Sequence, residues 1–287
     1  MAITRTITRP AARKPAPRKR AKPDPAKAWA RKLARTRPAL MPWVLEQLDA
    51  HHGTPVWARV HDPTSELILT ILTQNTADVN AEHAFDLLRT TYPSSPEHRT
   101  SALGEGSIVT RPGWGGKGWQ DTGAPDWQAV EDAPLDELIE VIRPGGLGPQ
   151  KAPRIQAALR RIREERGDHS LEFLGEMSAR EARDWLTSIP GIGRKTASVV
   201  LLFSFGMPLM PVDRHIERVA LRIGLLPPKV SADVAHEMFL EMLEADQMYP
   251  AHVGLITHGR RICHAQRPEC DRCPLAPRCR YVDPKAA

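Results

Sequence analysis

Ile189-Pro190-Gly191-Ile192-Gly193-Arg194-Lys195-Thr196-Ala197 lies between two stretches of helical periodicity, and the path of the chain turns on it. Pro190 cannot continue the helix before it, because its ring removes an N–H and collides with the carbonyl one turn back. Gly191 and Gly193 permit positive φ and close approach to the backbone. The stretch therefore predicts a sharp corner between two helices, the second starting at Arg194 and ending near Phe205. Backbone N–H groups at such a corner, with the positive end of the next helix, make an anion site suited to a DNA phosphate. Gly191, Gly193, Arg194 and Thr196 are the residues placed to form it. A plain corner whose glycines serve only the turn is the competing reading. Arg194-Lys195 directly after the glycines, with an amphipathic helix on each side, favours the phosphate.

Outward from this corner the pattern is helical almost throughout. Helices are expected over about 38–51, 77–92, 126–133, 135–142, 150–166, 212–223, 231–244 and 252–262. Ser178-Ala179-Arg180-Glu181 is a capping box opening the helix with Trp185 and Leu186. Residues 67–72, apolar but for Thr70, pass for a strand by period, but their polar flanks favour a buried helix. No strand pair, hairpin turn or internal repeat stands out, so the class is all-α. Residues 94–125 break the pattern: Arg111-Pro112-Gly113-Trp114-Gly115-Gly116-Lys117-Gly118-Trp119 suits neither a helix nor a central strand. A long irregular insertion is expected there. Its tryptophans either stack on bases or belong to an ordinary surface loop.

The formal charge of +6 is unevenly placed. Residues 1–37 hold thirteen Lys or Arg against one acid, Asp24, a net +12 that leaves −6 for the rest. Residues 1–36, rich in Pro, Ala, Lys and Arg, are expected to form a disordered basic tail. Such a tail is either a salt-sensitive nucleic-acid tether or a solvated solubility device. The longest apolar run, Val199-Val200-Leu201-Leu202-Phe203, is far too short to span a bilayer. No apolar segment of signal-peptide type follows the basic N-terminus. A soluble cytoplasmic protein, nucleoid-associated, without a membrane role, is expected.

Lys195 falls in the first turn of its helix, where the positive end of the dipole opposes an ammonium. That placement suits an amine used for nucleophilic attack or imine formation; a surface lysine touching phosphate is the other reading. Eighteen residues on, Asp213 stands at the start of the next helix in Pro211-Val212-Asp213-Arg214-His215. It reads as an N-cap, or as a carboxylate that stabilises positive charge on a sugar carbon. All four cysteines, Cys263, Cys270, Cys273 and Cys279, fall within seventeen residues with gaps of six, two and five. In an intracellular protein this favours metal over disulfides. Zinc sites of four cysteines usually pair two C-x2-C knuckles across a longer gap. One compact local set suits a [4Fe–4S] cluster better, with zinc as the alternative.

Taken together, the 189–197 corner, Val212-Asp213-Arg214-His215, His258-Gly259-Arg260 and the cysteine set resemble the endonuclease III family of helix-hairpin-helix DNA glycosylases. The resemblance covers about 38–281, the insertion excepted, and the Lys-to-Asp separation matches. It implies a two-lobed all-α fold. A six-helix barrel lobe comes from 63–207, and an iron–sulfur lobe from 37–62 with 208–287. DNA lies in the cleft between them. It also implies a monomeric enzyme that removes damaged bases, oxidised pyrimidines above all, from double-stranded DNA, and that acts on abasic sites. Lys195 would displace the base at C1′ as a Schiff base, Asp213 would serve as the catalytic carboxylate, and β-elimination would cut the strand. Adenine-mismatch glycosylases of related type lack the lysine, so Lys195 favours a bifunctional enzyme. His215 joins the implied DNA contacts. Asn75 stands where the family has a glutamine that fills the gap left by the flipped nucleotide, with Gln74 beside it as a substitute. A glycosylase for another lesion, or a non-catalytic DNA-binding iron–sulfur protein, are the alternatives.

Overall fold

The computed structural model describes residues 24–95 and 123–286, with the backbone of two short strands at 108–109 and 119–120. Among the described residues there are twelve α-helices. In order they are α1 (Pro25–Thr36), α2 (Leu40–His52), α3 (Pro63–Leu72), α4 (Asp78–Thr91), α5 (Trp127–Asp132) and α6 (Leu135–Val141). Then come α7 (Gly148–Arg166), α8 (Ala179–Thr187), α9 (Arg194–Phe205), α10 (Arg214–Ile223), α11 (Ala232–Leu240) and α12 (Met248–Arg261). Local chemistry starts most of them. Asp62, Asp126, Asp213 and Ser231 each accept a first-turn N–H, and Ser178 with Glu181 forms the expected capping box. No helix is long and apolar enough to cross a membrane among the described residues.

The buried side chains fall into two clusters. One joins α3 to α8 with Ala197, Val200 and Leu201 of α9; the other joins α1, α2 and α10 to α12 with Leu202 and Phe203 of α9. Helix α9 is therefore apolar on almost every side because it packs into both cores, as a helix buried all round must. Its N-terminus is its most open part: Gly193, Arg194 and Lys195 are exposed, while Thr196, Ala197 and Ser198 are buried. The apolar run at 199–203 is thus the joint between the two halves of the molecule.

Three expectations need correction. Residues 25–36 are helical, not disordered. Asp24 accepts the Ala26 N–H at 2.9 Å, Pro25 takes the first helical position, and Ala26, Trp29 and Leu33 share the face that packs inward. Average composition over 1–36 conceals that spacing; residues 1–23 lie outside the description. Second, the helix expected over 231–244 stops at Leu240, and Glu244 caps a following 3-10 turn at Ala245–Gln247. Third, a strand pair exists: β1 (Ile108–Val109) runs antiparallel to β2 (Trp119–Gln120). Trp114 lies outside the described residues. The ends of the insertion are pinned together, with the Asp126 N–H on the Tyr92 carbonyl at 2.8 Å and Ser94 Oγ on the Ala124 carbonyl at 2.7 Å. It leaves and re-enters the fold at one point.

Candidate active site

At the corner, Ile189 and Ile192 are buried in the first core while Pro190, Gly191 and Gly193 face solvent. The two glycines differ. Gly191 has φ +86°, and a Cβ there would come within 3.0 Å of Arg154 Cδ, so the position requires glycine. Gly193 has φ −89°, which any residue adopts, and a Cβ there would meet nothing within 4 Å. The positive φ that a glycine permits is used at Gly191 alone of the two. What the missing side chain of Gly193 leaves is open space over the start of α9, a helix with no side-chain cap. An anion can reach the first-turn N–H groups there without obstruction.

Lys195 and Asp213 come together. Both line a cavity of about 60 Å³ whose other walls are Thr70, Thr73, Asp78, Val199, Phe203, His252, Ile256 and Arg260. Asp213 also caps α10, accepting the Ile216 N–H at 2.8 Å, so one carboxylate both caps the helix and lines the cavity. The strand leading to it is held by two buried imidazoles: His236 Nδ1 reaches the Met210 carbonyl at 2.6 Å, and His252 Nδ1 the Pro211 carbonyl at 3.0 Å. A carbonyl only accepts, so both rings donate from Nδ1. Burial also pushes the His236 pKa down, favouring the neutral ring. Arg260 pairs with Asp78 at 2.5 Å, joining α12 to α4 across the cavity wall. Sequence reasoning did not single out Asp78, His252 or Arg260 for this site. The only signal was Arg260 in the motif that carried the resemblance. A larger cavity of about 830 Å³, at the N-terminal end of α3, contains none of the expected site residues.

The turn after α3 separates Gln74 from Asn75. Gln74 is tied at both ends, accepting from Arg154 Nη1 at 3.1 Å and donating to Thr196 Oγ1 at 3.3 Å. Asn75 is exposed in the left-handed region at φ +54°, with Arg214 Nη2 at 3.4 Å from its side-chain oxygen. Asparagine tolerates that conformation far better than glutamine. Lys151, 1 % exposed, holds this turn from beneath: its Nζ donates to the Leu72 carbonyl at 2.6 Å, Thr76 Oγ1 at 2.8 Å and the Gly145 carbonyl at 2.7 Å. Burial, then the Arg154 charge, lowers its pKa to about 8. Two residues past Gly145, Leu147 is 43 % exposed at φ +56°, a conformation a leucine seldom adopts. No pattern in the sequence foretold it.

Three expected contacts sit otherwise than an open DNA face would have them. Thr196 is buried against Gln74. The Arg194 guanidinium lies 3.0 Å from Glu237, which Arg183 shares at 3.1 Å. His215 is half-buried against Gly259, where a Cβ would come within 2.9 Å of its own Cβ, and Arg218 Nη2 lies 3.2 Å from its Nδ1.

The cysteines gather below α10 and α12. None is in a disulfide; Cys279 is buried and the other three are half-buried. Burial, reinforced by the charges of Cys263, Cys279 and Cys270, pushes the Cys273 thiol up to about 11. Four thiolates so crowded need a cationic centre among them. Arg222 Nη1 donates to Cys263 Sγ at 3.2 Å and to the His264 carbonyl at 2.7 Å. His258 Nε2 lies 3.4 Å from Cys273 Sγ. Among the described residues no three His, Cys, Asp or Glu side chains form a group that would hold a single metal ion. The four cysteines lie near enough for their charges to act on one another, and four local cysteine thiolates are the donor type a [4Fe–4S] cluster takes.

Residues 68–244 match the family model described as HhH-GPD superfamily base excision DNA repair protein. The chain is 33% identical to an endonuclease III of Sulfolobus acidocaldarius over 215 residues, covering 75% of this chain and 80% of that one. It is 38% identical to the endonuclease III of Bacillus subtilis over 155 residues, 54% of this chain and 65% of that one. Its fold superposes on an endonuclease III trapped as a covalent intermediate with DNA, with a TM-score of 0.64, 24% identity, and coverage of 86% and 97%.

Proposed function

The chain belongs to the HhH-GPD superfamily of base excision DNA repair proteins, and on that premise we propose that it is a bifunctional DNA N-glycosylase and AP lyase of endonuclease III type. The observation that carries this reading is the shared cavity, which brings an amine from one half of the molecule to a carboxylate of the other. Its substrate is double-stranded DNA with a damaged base, an oxidised pyrimidine first, or an abasic site.

C1′ of a stacked nucleotide is out of reach, so the nucleotide first rotates out of the duplex. Open N–H groups at Gly193 and the start of α9 hold a backbone phosphate. Asn75 enters the vacated space, because Gln74 is already committed to Arg154 and Thr196. Leu147 supplies an apolar wedge beside it. Lys195 Nζ, as a free amine, forms a bond to C1′ while the bond from C1′ to the base breaks. The base leaves with the electron pair and takes up a proton. Asp213 stabilises the positive charge on C1′ during departure. Ring opening gives the imine; loss of a C2′ proton then expels the 3′ phosphate oxygen, and water releases Lys195. Cys263, Cys270, Cys273 and Cys279 would hold a [4Fe–4S] cluster that orders the C-terminal loops.

A panel of duplexes, each with one oxidised pyrimidine, alkylated purine or mispaired base, tests the substrate. Strand cleavage is expected on the oxidised pyrimidines. Cleavage confined to another duplex overturns that class, and cleavage of none, abasic DNA included, overturns the enzyme reading.

A further inference from the structure

We propose that the exposed face of α1 is a second contact for the DNA backbone, independent of the lesion and adjacent to the hairpin; this rests on the protein being a DNA-binding enzyme. Lys27, Arg31 and Arg35 stand at successive i, i+4 positions of α1 with Lys32 beside them, and all four are exposed. Ala26 and Leu33 are buried on the opposite side, with Trp29 between them. No acid pairs with any of the four among the described residues. Lys32 lies over the Trp29 ring at 5.3 Å.

Such a helix is costly to itself. Like charges at i, i+4 repel, and Asp24 at the N-cap is the one acid that meets the dipole of α1. Tertiary contacts hold it nevertheless. Trp29 Nε1 donates to the Leu225 carbonyl at 2.7 Å, and the buried Arg37 that ends the helix donates to the carbonyls of Ile223 and Arg278. The helix is therefore held in place, with the backbone positions of Lys27, Arg31 and Arg35 in a row about 6 Å apart.

Their place favours duplex DNA over an acidic protein. α1 packs on α11, and α11 carries the Asp233 and Glu237 that pair with Arg194 at the start of α9. The order is hairpin, α11, α1. One helix, α11, therefore stands between the row and the hairpin phosphate site. Residues 38–287 carry a net −6, so the excess positive charge of the chain lies before them, in the segment that includes α1.

The test is the salt dependence of binding by the full chain to an undamaged 30-base-pair duplex and to one with an abasic site. Replacing Lys27, Arg31, Lys32 and Arg35 together by Gln should lower the slope of log K against log salt by about 2–4, at about 0.9 per lost phosphate contact, equally on both duplexes. Thermal unfolding of the variant reports its fold, and removing the repulsion should not lower the midpoint. Arg31→Lys with Arg35→Lys, which keeps the charge, should restore the slope. A slope unchanged in a folded Gln variant overturns the inference alone. Failure of the wild type to bind either duplex overturns the functional reading with it.

Discussion

At Lys195 the chain sets an amine at a bare helix N-terminus, with the Asp213 carboxylate on the same cavity. Because Asp213 also caps α10, replacing it with Asn keeps a competent cap and removes only the charge. Asp213→Asn should leave the unfolding midpoint near wild type and slow single-turnover base release by at least about 100-fold. A loss of stability with unchanged release would make the residue a cap alone. The glycines offer a second contrast. Gly191→Ala, strained at φ +86° and against Arg154, should cost about 1 kcal/mol or more in a denaturant titration. Gly193→Ala should leave stability within about 0.5 kcal/mol yet weaken DNA binding, since its new methyl stands only in the way of the phosphate. Lys195 and Asp213 were legible as residue types at a spacing, not as a pair sharing a cavity. Asn75 was legible as a family position holding a different amide, but not its left-handed φ; Leu147 was not legible at all, because its own left-handed φ belongs to a turn that Lys151 ties to the end of α3.

Helices were legible where apolar period and a capping residue coincide, as at α8 and α10. α1 carried the same signals, Asp24-Pro25 and Ala26, Trp29 and Leu33, under a composition that suggested disorder. α5 and α7 are joined through Glu131, whose buried carboxylate receives Arg163 at 2.7 Å and His169 at 2.8 Å. The Arg163 hydrogen bonds, more than any other influence, hold its pKa below the ordinary value of 4.5. The unfolded chain thus binds this proton first as the pH falls, so the stabilisation is complete above about 4.5 and disappears below it. Glu131→Gln should cost about 2 kcal/mol near neutrality. The difference between variant and wild type should shrink below pH 4.5 in urea midpoints; one that stays constant with pH would assign the loss to packing.

On the scale of the whole molecule, α9 belongs to two cores and the chemistry sits at its free end. The cysteines belong to the loops after α12, and a cluster held by them would order those loops. Purified protein should show the broad visible absorption of an iron–sulfur cluster, and Cys273→Ser should lose it together with part of the thermal stability; colourless protein with one zinc per chain would contradict the cluster. The sequence separated these two sites by distance along the chain but could not show that Arg260 and Asp78 join the halves beside Lys195, since that contact links residues far apart in sequence. The central claim is that an amine at this junction attacks C1′. Borohydride reduction during turnover on an abasic duplex tests it most directly. Wild type should yield a covalent protein–DNA adduct that Lys195→Gln fails to form. Wild type that binds the duplex and gives no adduct, or a Lys195→Gln variant that traps as well as wild type, would contradict it.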